Sequence, residues 1–205
     1  MRPENLFLLT QQNHYTTAGL DVDYCIIKDE ENFNCYLIFQ GSRQPMDWKI
    51  NFSFPVKPYR NQERPLLFHG GYVRAWKSCN DRIIEELLAA CEGGLQPVII
   101  GHSYSGAIAL LAAEDLNFRT GMHPIVYTFG APKAIFSKAT MREVRGSCLL
   151  IKNYIHVNDL VPMLPPLPGY KHANPCKVGL KDKCIFKVFN VKKYHFIYGN
   201  YSLYI

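Results

Sequence analysis

Apolar residues recur along this chain with two spacings, and each predicts an element. Tyr24–Ile27 and Cys35–Gln40 are short apolar runs separated by the polar stretch Lys28–Asn34, the pattern of an antiparallel strand pair and its turn. Leu66–Phe68 reads as a further short strand. From Trp76 to Cys91, apolar positions 83, 84, 87, 88 and 91 follow a helical spacing that Gly93-Gly94 closes. Pro97–Ile100 is a short buried run of the kind found in central parallel strands. An Ala/Leu-rich helix follows over Ser105–Leu116, then a strand at Ile125–Phe129, a helix over 133–145 and a strand at Cys148–Ile155.

Strands and helices that alternate with short connections imply right-handed crossovers and a mostly parallel sheet with helices on both faces, an α/β fold. Reactive groups in such sheets gather beyond the carboxyl ends of the strands. Ser103, the turn Gly130-Ala-Pro132 and the loop after Ile155 all fall there. No repeat, low-complexity tract or linker interrupts the 205 residues, so 1–205 reads as one domain large enough for a sizeable core.

Composition narrows the possibilities further. The seven cysteines include no C-x-x-C pair and are odd in number, so they read as free thiols, with Cys176 and Cys184 near enough across a short loop to pair. No Cys/His group has zinc-ligand spacing, and no metal or organic cofactor is expected. The net charge of +6 is dispersed, without a block of five basic residues, which argues against nucleic acid and is compatible with weak attraction to an anionic lipid surface. Met1–Thr10 holds only four consecutive apolar residues, too few for a signal-peptide core or a membrane span. That start reads as cytoplasmic, with release by another route left open.

The chemistry centres on Gly101-His-Ser-Tyr-Ser-Gly106, between a buried strand and a helix. A serine hydroxyl becomes a nucleophile when a base takes its proton and donors receive the charge developing on the carbonyl oxygen. A tight strand-to-helix turn exposes the hydroxyl, aims the helix N-terminus at that charge, and demands small residues two before and two after. Gly101 meets the first demand; Ser105 stands where a second glycine is wanted, and Gly106 comes one position late.

The acid belongs on a loop after a later strand. Asp159 lies in Ile155-His-Val-Asn-Asp-Leu-Val-Pro-Met-Leu-Pro-Pro166, where prolines stiffen the chain, and its plainer reading is an Asx-turn residue. The base should follow the acid, and both His172 and His195 qualify. A terminal helix would return the His195 ring to the top of the sheet.

With these residues in hand, the chain resembles the class 3 (fungal-type) lipases of the α/β-hydrolase superfamily. Five blocks stand in family order: Phe39-Gln-Gly-Ser42 with Asp47-Trp48, His69-Gly-Gly-Tyr-Val-Arg-Ala-Trp76, Gly101–Gly106, Tyr127-Thr-Phe-Gly-Ala-Pro132, and Asn158–Pro166. The resemblance implies Ser103 as nucleophile, Asp159 as acid and His195 as base, with His172 in a block that carries a non-catalytic histidine. It also implies an oxyanion hole from the N–H groups of Tyr104 and Ser42. Trp48, Phe52 and Phe54 fall in the region matching the family's flap and are candidates for substrate contact, although prolines 55, 58 and 65 oppose a long flap helix. Gln40, Tyr104 and Ser105 depart from the family's arginine, leucine and glycine. The expected activity is hydrolysis of lipid acyl esters by a serine hydrolase. Phospholipase A1 or acyltransferase activity, or a weakly active binding or scaffold protein, are the alternatives, and the oligomeric state stays open.

Overall fold

A computed structural model describes residues 3–10, 15–20, 22–40, 55–59, 65–179 and 195. In chain order, the elements begin with α1 (Pro3–Leu9), β1 (Thr16–Ala18), β2 (Val22–Asp29), β3 (Asn34–Phe39), β4 (Val56–Pro58) and β5 (Leu67–His69). There follow α2 (Gly70–Lys77), α3 (Asn80–Ala90), β6 (Gln96–His102), α4 (Tyr104–Thr120), β7 (Ile125–Phe129) and β8 (Ile135–Phe136). The last are α5 (Lys138–Gly146), β9 (Leu150–His156), a 3₁₀ turn at Val161–Met163, β10 (Tyr170–Lys171) and β11 (Pro175–Val178).

The main sheet runs β1-β2-β3-β6-β7-β9-β11. Its first two pairings are antiparallel, and those from β3 to β11 are parallel. Strand alternation builds a core on each face. Cys35, Leu37 and Phe39 of β3 point with Ile99 of β6 toward α2, α3, α4 and α5, whereas Tyr36, Ile38, Val98 and Ile100 point toward Leu6 and Phe7 of α1. The crossover helices therefore share one face, and α1 is the described helix on the other. α4 is buried all round from Tyr104 to Leu116, so it sits against the sheet as a core helix. Each large apolar side chain it buries contributes roughly 1.5–3 kcal/mol.

A second, antiparallel sheet, β10-β8-β5-β4, lies outside the main one and takes in the strand expected near Leu66–Phe68. Two expected helices differ in extent. The helix expected over 76–91 is two helices, because the Ser78 hydroxyl closes the first by bonding the Ala75 carbonyl at 2.7 Å while accepting the Leu20 N–H at 2.8 Å. The helix expected over 133–145 begins only after Ser137, whose hydroxyl accepts the Thr140 N–H. The residues before it extend into β8, which pairs with β5 and β10.

Cys25, Cys35, Cys79, Cys91, Cys148 and Cys176 are free thiols, and Cys184 lies outside the described residues. No described helix is long and apolar enough to cross a membrane.

Candidate active site

β6 ends at His102 and α4 starts at Tyr104, leaving Ser103 alone to turn the chain. Ser103 does so at φ 57°, ψ −132°, a left-handed conformation that costs a non-glycine residue on the order of 1–3 kcal/mol. Its N–H is anchored on the Phe129 carbonyl of β7 at 2.9 Å, and its own carbonyl accepts the Gly106 N–H at 2.9 Å. A Cβ on Gly101 would stand 2.4 Å from the Ser105 carbonyl oxygen, and one on Gly106 would stand 2.6 Å from the Ala131 methyl. The turn thus does need two glycines, and the second is Gly106. Position 105 tolerates a side chain because its hydroxyl is directed away to the carbonyl of Gln40.

Three buried side chains meet above this turn. His195 Nε2 lies 2.7 Å from Ser103 Oγ, and His195 Nδ1 lies 2.7 Å from Asp159 Oδ2. His195 and Asp159 are almost fully enclosed, and Ser103 keeps 8% of its surface exposed. The acceptor-only carboxylate requires the proton on Nδ1, which leaves Nε2 able to accept from the serine hydroxyl.

The loop carrying Asp159 is held from several sides. The Asp159 N–H donates to the His156 carbonyl at 2.9 Å, the Asn158 N–H to His156 Nδ1 at 3.2 Å, and Asp159 Oδ1 accepts the Val161 N–H at 2.9 Å. Asp159 is therefore the Asx-turn residue of the plainer reading and the partner of His195 at once, one oxygen for each. Beneath the loop a buried chain runs from Thr128 Oγ1 to Asn153 Oδ1 at 2.8 Å, from Asn153 Nδ2 to His172 Nδ1 at 2.7 Å, and from His172 Nε2 to the Pro162 carbonyl at 2.8 Å. His172 is thus committed to two partners, and neither is a reactive group. Burial, with Lys133 nearby, lowers its pKa and keeps the ring neutral.

His102 joins the two halves of the site. Its ring is stacked on His195 and meets Phe7 edge-on at 5.3 Å. The Tyr104 ring meets Tyr72 edge-on at 5.4 Å, and Tyr72 lies over His69 at 4.6 Å. Burial drives the Tyr72 phenol well above its usual range, with Tyr104 and Tyr170 adding to it.

Ser103, Asp159, His195 and Tyr104 are thus gathered at one end of the main sheet. Ser42, Trp48, Phe52 and Phe54 lie outside the described residues, as do the neighbours of His195 where a terminal helix was expected. Sequence reasoning missed two buried polar groups: Asn153 with Thr128, and Asp115. Asp115 had a usable signal, being a carboxylate in a helix with no polar face. Such a group needs partners, and it takes hydrogen bonds from Tyr59, Trp76, Asn80 and Arg119. Among the described residues no group of three or more His, Cys, Asp or Glu side chains is placed to hold a metal ion.

Comparison with known proteins decides the family. Residues 36–169 match the model for lipase (class 3). The chain belongs to the class 3 lipase family. It is similar to secreted mono- and diacylglycerol lipase A of Penicillium cyclopium, 30% identical over 158 residues that cover 73% of this chain and 49% of that protein. It is also similar to secreted mono- and diacylglycerol lipase 1 of Fusarium solani, 29% identical over 142 residues, 66% of this chain and 41% of that protein. The fold matches that of the Rhizomucor miehei lipase in its propeptide complex, with a TM-score of 0.72 at 22% identity over 81% of this chain and 56% of that one. This class 3 lipase chain thus spans about half the length of the relatives it matches.

Both lipase relatives are named as secreted, which overturns the cytoplasmic reading of the first residues. Packing explains that apolar stretch: Leu6 and Phe7 are buried, with the Phe7 ring against His102 and Phe129. It carries no information about location.

Proposed function

We propose that this chain hydrolyses acyl esters of lipids through Ser103, His195 and Asp159. The observation that carries the reading is the buried, unbroken line of two 2.7 Å contacts from Ser103 Oγ through His195 to Asp159. Ser103 Oγ attacks the ester carbonyl while His195 Nε2 takes its proton. Asp159 holds the Nδ1 proton and stabilises the imidazolium. The tetrahedral oxyanion is received by the Tyr104 N–H at the start of α4, where the helix dipole adds to the attraction, and by the N–H of Ser42. His195 then protonates the leaving alcohol, and water, deprotonated by the same ring, releases the acid from the acyl-enzyme.

The relatives named as mono- and diacylglycerol lipases make partial acylglycerols the first substrates to try. Hydrolysis of monoacylglycerol, diacylglycerol and phospholipid should be compared for the unsubstituted protein and Ser103→Ala. Acylglycerol turnover that vanishes in Ser103→Ala supports the reading. Turnover that survives the substitution, or is absent from both proteins, overturns it. Preferential cleavage of phospholipid would move the chain to the phospholipase alternative.

A further inference from the structure

We propose that the loop following Asp159 docks on an anionic phospholipid surface, an inference that rests on the function proposed above. Val161–Gly169 holds no polar side chain. Val161, Pro162 and Pro165 turn inward, but Met163 is 56% and Leu167 57% exposed, and Pro166 and Pro168 are exposed beside them. An exposed apolar run of this kind marks a contact with a partner or a membrane. Its backbone is already ordered. The N–H groups of Met163 and Leu164 donate to the carbonyls of Leu160 and Val161, each at 3.0 Å. The Lys133 N–H donates to the Leu164 carbonyl at 2.7 Å, and the Ser137 N–H to the Gly169 carbonyl at 3.0 Å. An apolar tip held in this way loses little conformational freedom when it inserts.

Charge and position point to lipid as the occupant. Lys133 Nζ donates to the Pro165 carbonyl at 3.4 Å, which sets one cation against the loop itself. Lys171 of β10 stands opposite Ile135 of β8, two residues on from Lys133. It lies near enough to disfavour the Lys133 charge, a repulsion that a bound anion relieves. Among the described residues neither lysine has an ion-pair partner. No Asp or Glu occurs in Gly130–Arg142 or Leu160–Gly179, whereas these stretches carry Lys133, Lys138, Arg142, Lys171 and Lys177. An apolar tip with cations beside it suits a phospholipid surface, the tip entering among acyl chains while the lysines meet headgroup phosphates. The loop also leaves directly from the site, since the Val161 N–H is bonded to Asp159 Oδ1 at 2.9 Å. A lipid surface seated there presents its esters at the end of the sheet that carries Ser103.

Co-sedimentation with vesicles of phosphatidylcholine, with and without phosphatidylglycerol, tests this in the Ser103→Ala protein, which leaves the lipid uncleaved. Binding should favour the mixed vesicles and weaken with added salt. Met163→Ser with Leu167→Ser should lower it by about tenfold or more, and Lys133→Gln with Lys171→Gln by about tenfold or more on the mixed vesicles. With Ser103 restored, both pairs should keep kcat on a water-soluble short-chain ester within about twofold, which shows that fold and site are intact. The emission of Leu167→Trp should shift to the blue on mixed vesicles. Equal binding to both vesicle types, binding untouched by either pair, or Leu167→Trp emission that stays water-like on bound vesicles would each overturn the inference. So would a dimer in sedimentation velocity that Met163→Ser with Leu167→Ser dissolves, because the loop would then serve a second copy of the chain. Docking by an unsubstituted protein that hydrolyses no ester would overturn the proposed function alone, and hydrolysis without docking would overturn this inference alone.

Discussion

The imidazole of His102 lies against that of His195, centroids 5.1 Å apart and planes 28° from parallel, and donates from Nε2 to the His195 carbonyl at 3.1 Å. A residue adjoining the serine thus grips the segment that carries the ring bonded to that serine. Burial first, and the neighbouring His195 second, push His102 down to about 3, with the backbone bond only partly opposing them. Its neutrality spares His195 a second positive charge when the imidazolium forms.

This neutrality has a cost on acidification. An unfolded histidine takes its proton near 6.5, the folded His102 only near 3. Between those values the unfolded state holds more protons, so stability rises with pH and is lost as pH falls through the window. The slope contributed by His102 approaches about 1.4 kcal/mol per pH unit, and His172, also lowered by burial, acts in the same direction. Denaturant titrations from about pH 4 to about pH 7 should show that slope. His102→Gln, which keeps a donor and cannot titrate, should flatten it, and equal slopes would contradict the assignment.

The two downstream histidines should separate cleanly. His195→Ala should lower kcat by about four to six orders of magnitude, as loss of a base that acts with its serine does. His172→Ala removes the link between Asn153 and the Pro162 carbonyl, and should cost about 1–3 kcal/mol of stability while turnover remains measurable. The reverse pattern would exchange their roles.

The glycines of the turn are equally distinct. Gly101→Ala sets a methyl 2.4 Å from a backbone oxygen and 2.7 Å from its carbon, neither of which can rotate aside. The turn must open, and labelling of Ser103 should fail even in protein that remains folded by circular dichroism. Gly106→Ala meets a methyl at 2.6 Å and should cost about 1–3 kcal/mol through overpacking.

Asp115 is a buried polar node outside the site, bonded by Tyr59, Trp76, Asn80 and Arg119. Burial alone would raise its pKa, but hydrogen bonds from Arg119, Tyr59 and Asn80 outweigh that and leave it below the usual carboxylate range. Asp115→Ala strands these donors together with the Trp76 indole N–H. It should destabilise the fold by about 3 kcal/mol or more in urea, without changing the labelling rate of Ser103 in the folded fraction.

What could be read from the sequence was what local pattern controls. The parallel strands from Pro97 to Ile155 were visible because short apolar stretches bounded by turns alternate there with helical patterns. Gly101, Ser103 and Asp159 were visible because a strained turn and an Asx turn each demand specific residue types. The break at Ser78 was not, since it depends on a partner, Leu20, far away in the chain. Asn153 was hidden for the same reason: its bond to Thr128 exists only after β7 and β9 have paired. The question posed by Ser105 was likewise a tertiary one, and Gln40 answers it.

The central claim is that Ser103 is a nucleophile activated by His195, and a fluorophosphonate probe tests it most directly. Incubation of the unsubstituted protein, Ser103→Ala and His195→Ala, followed by peptide mass spectrometry, should give a single adduct on Ser103 in the first, none in the second, and strongly slowed labelling in the third. An unsubstituted protein left unmodified, or an adduct at another residue that persists in Ser103→Ala, would contradict the account.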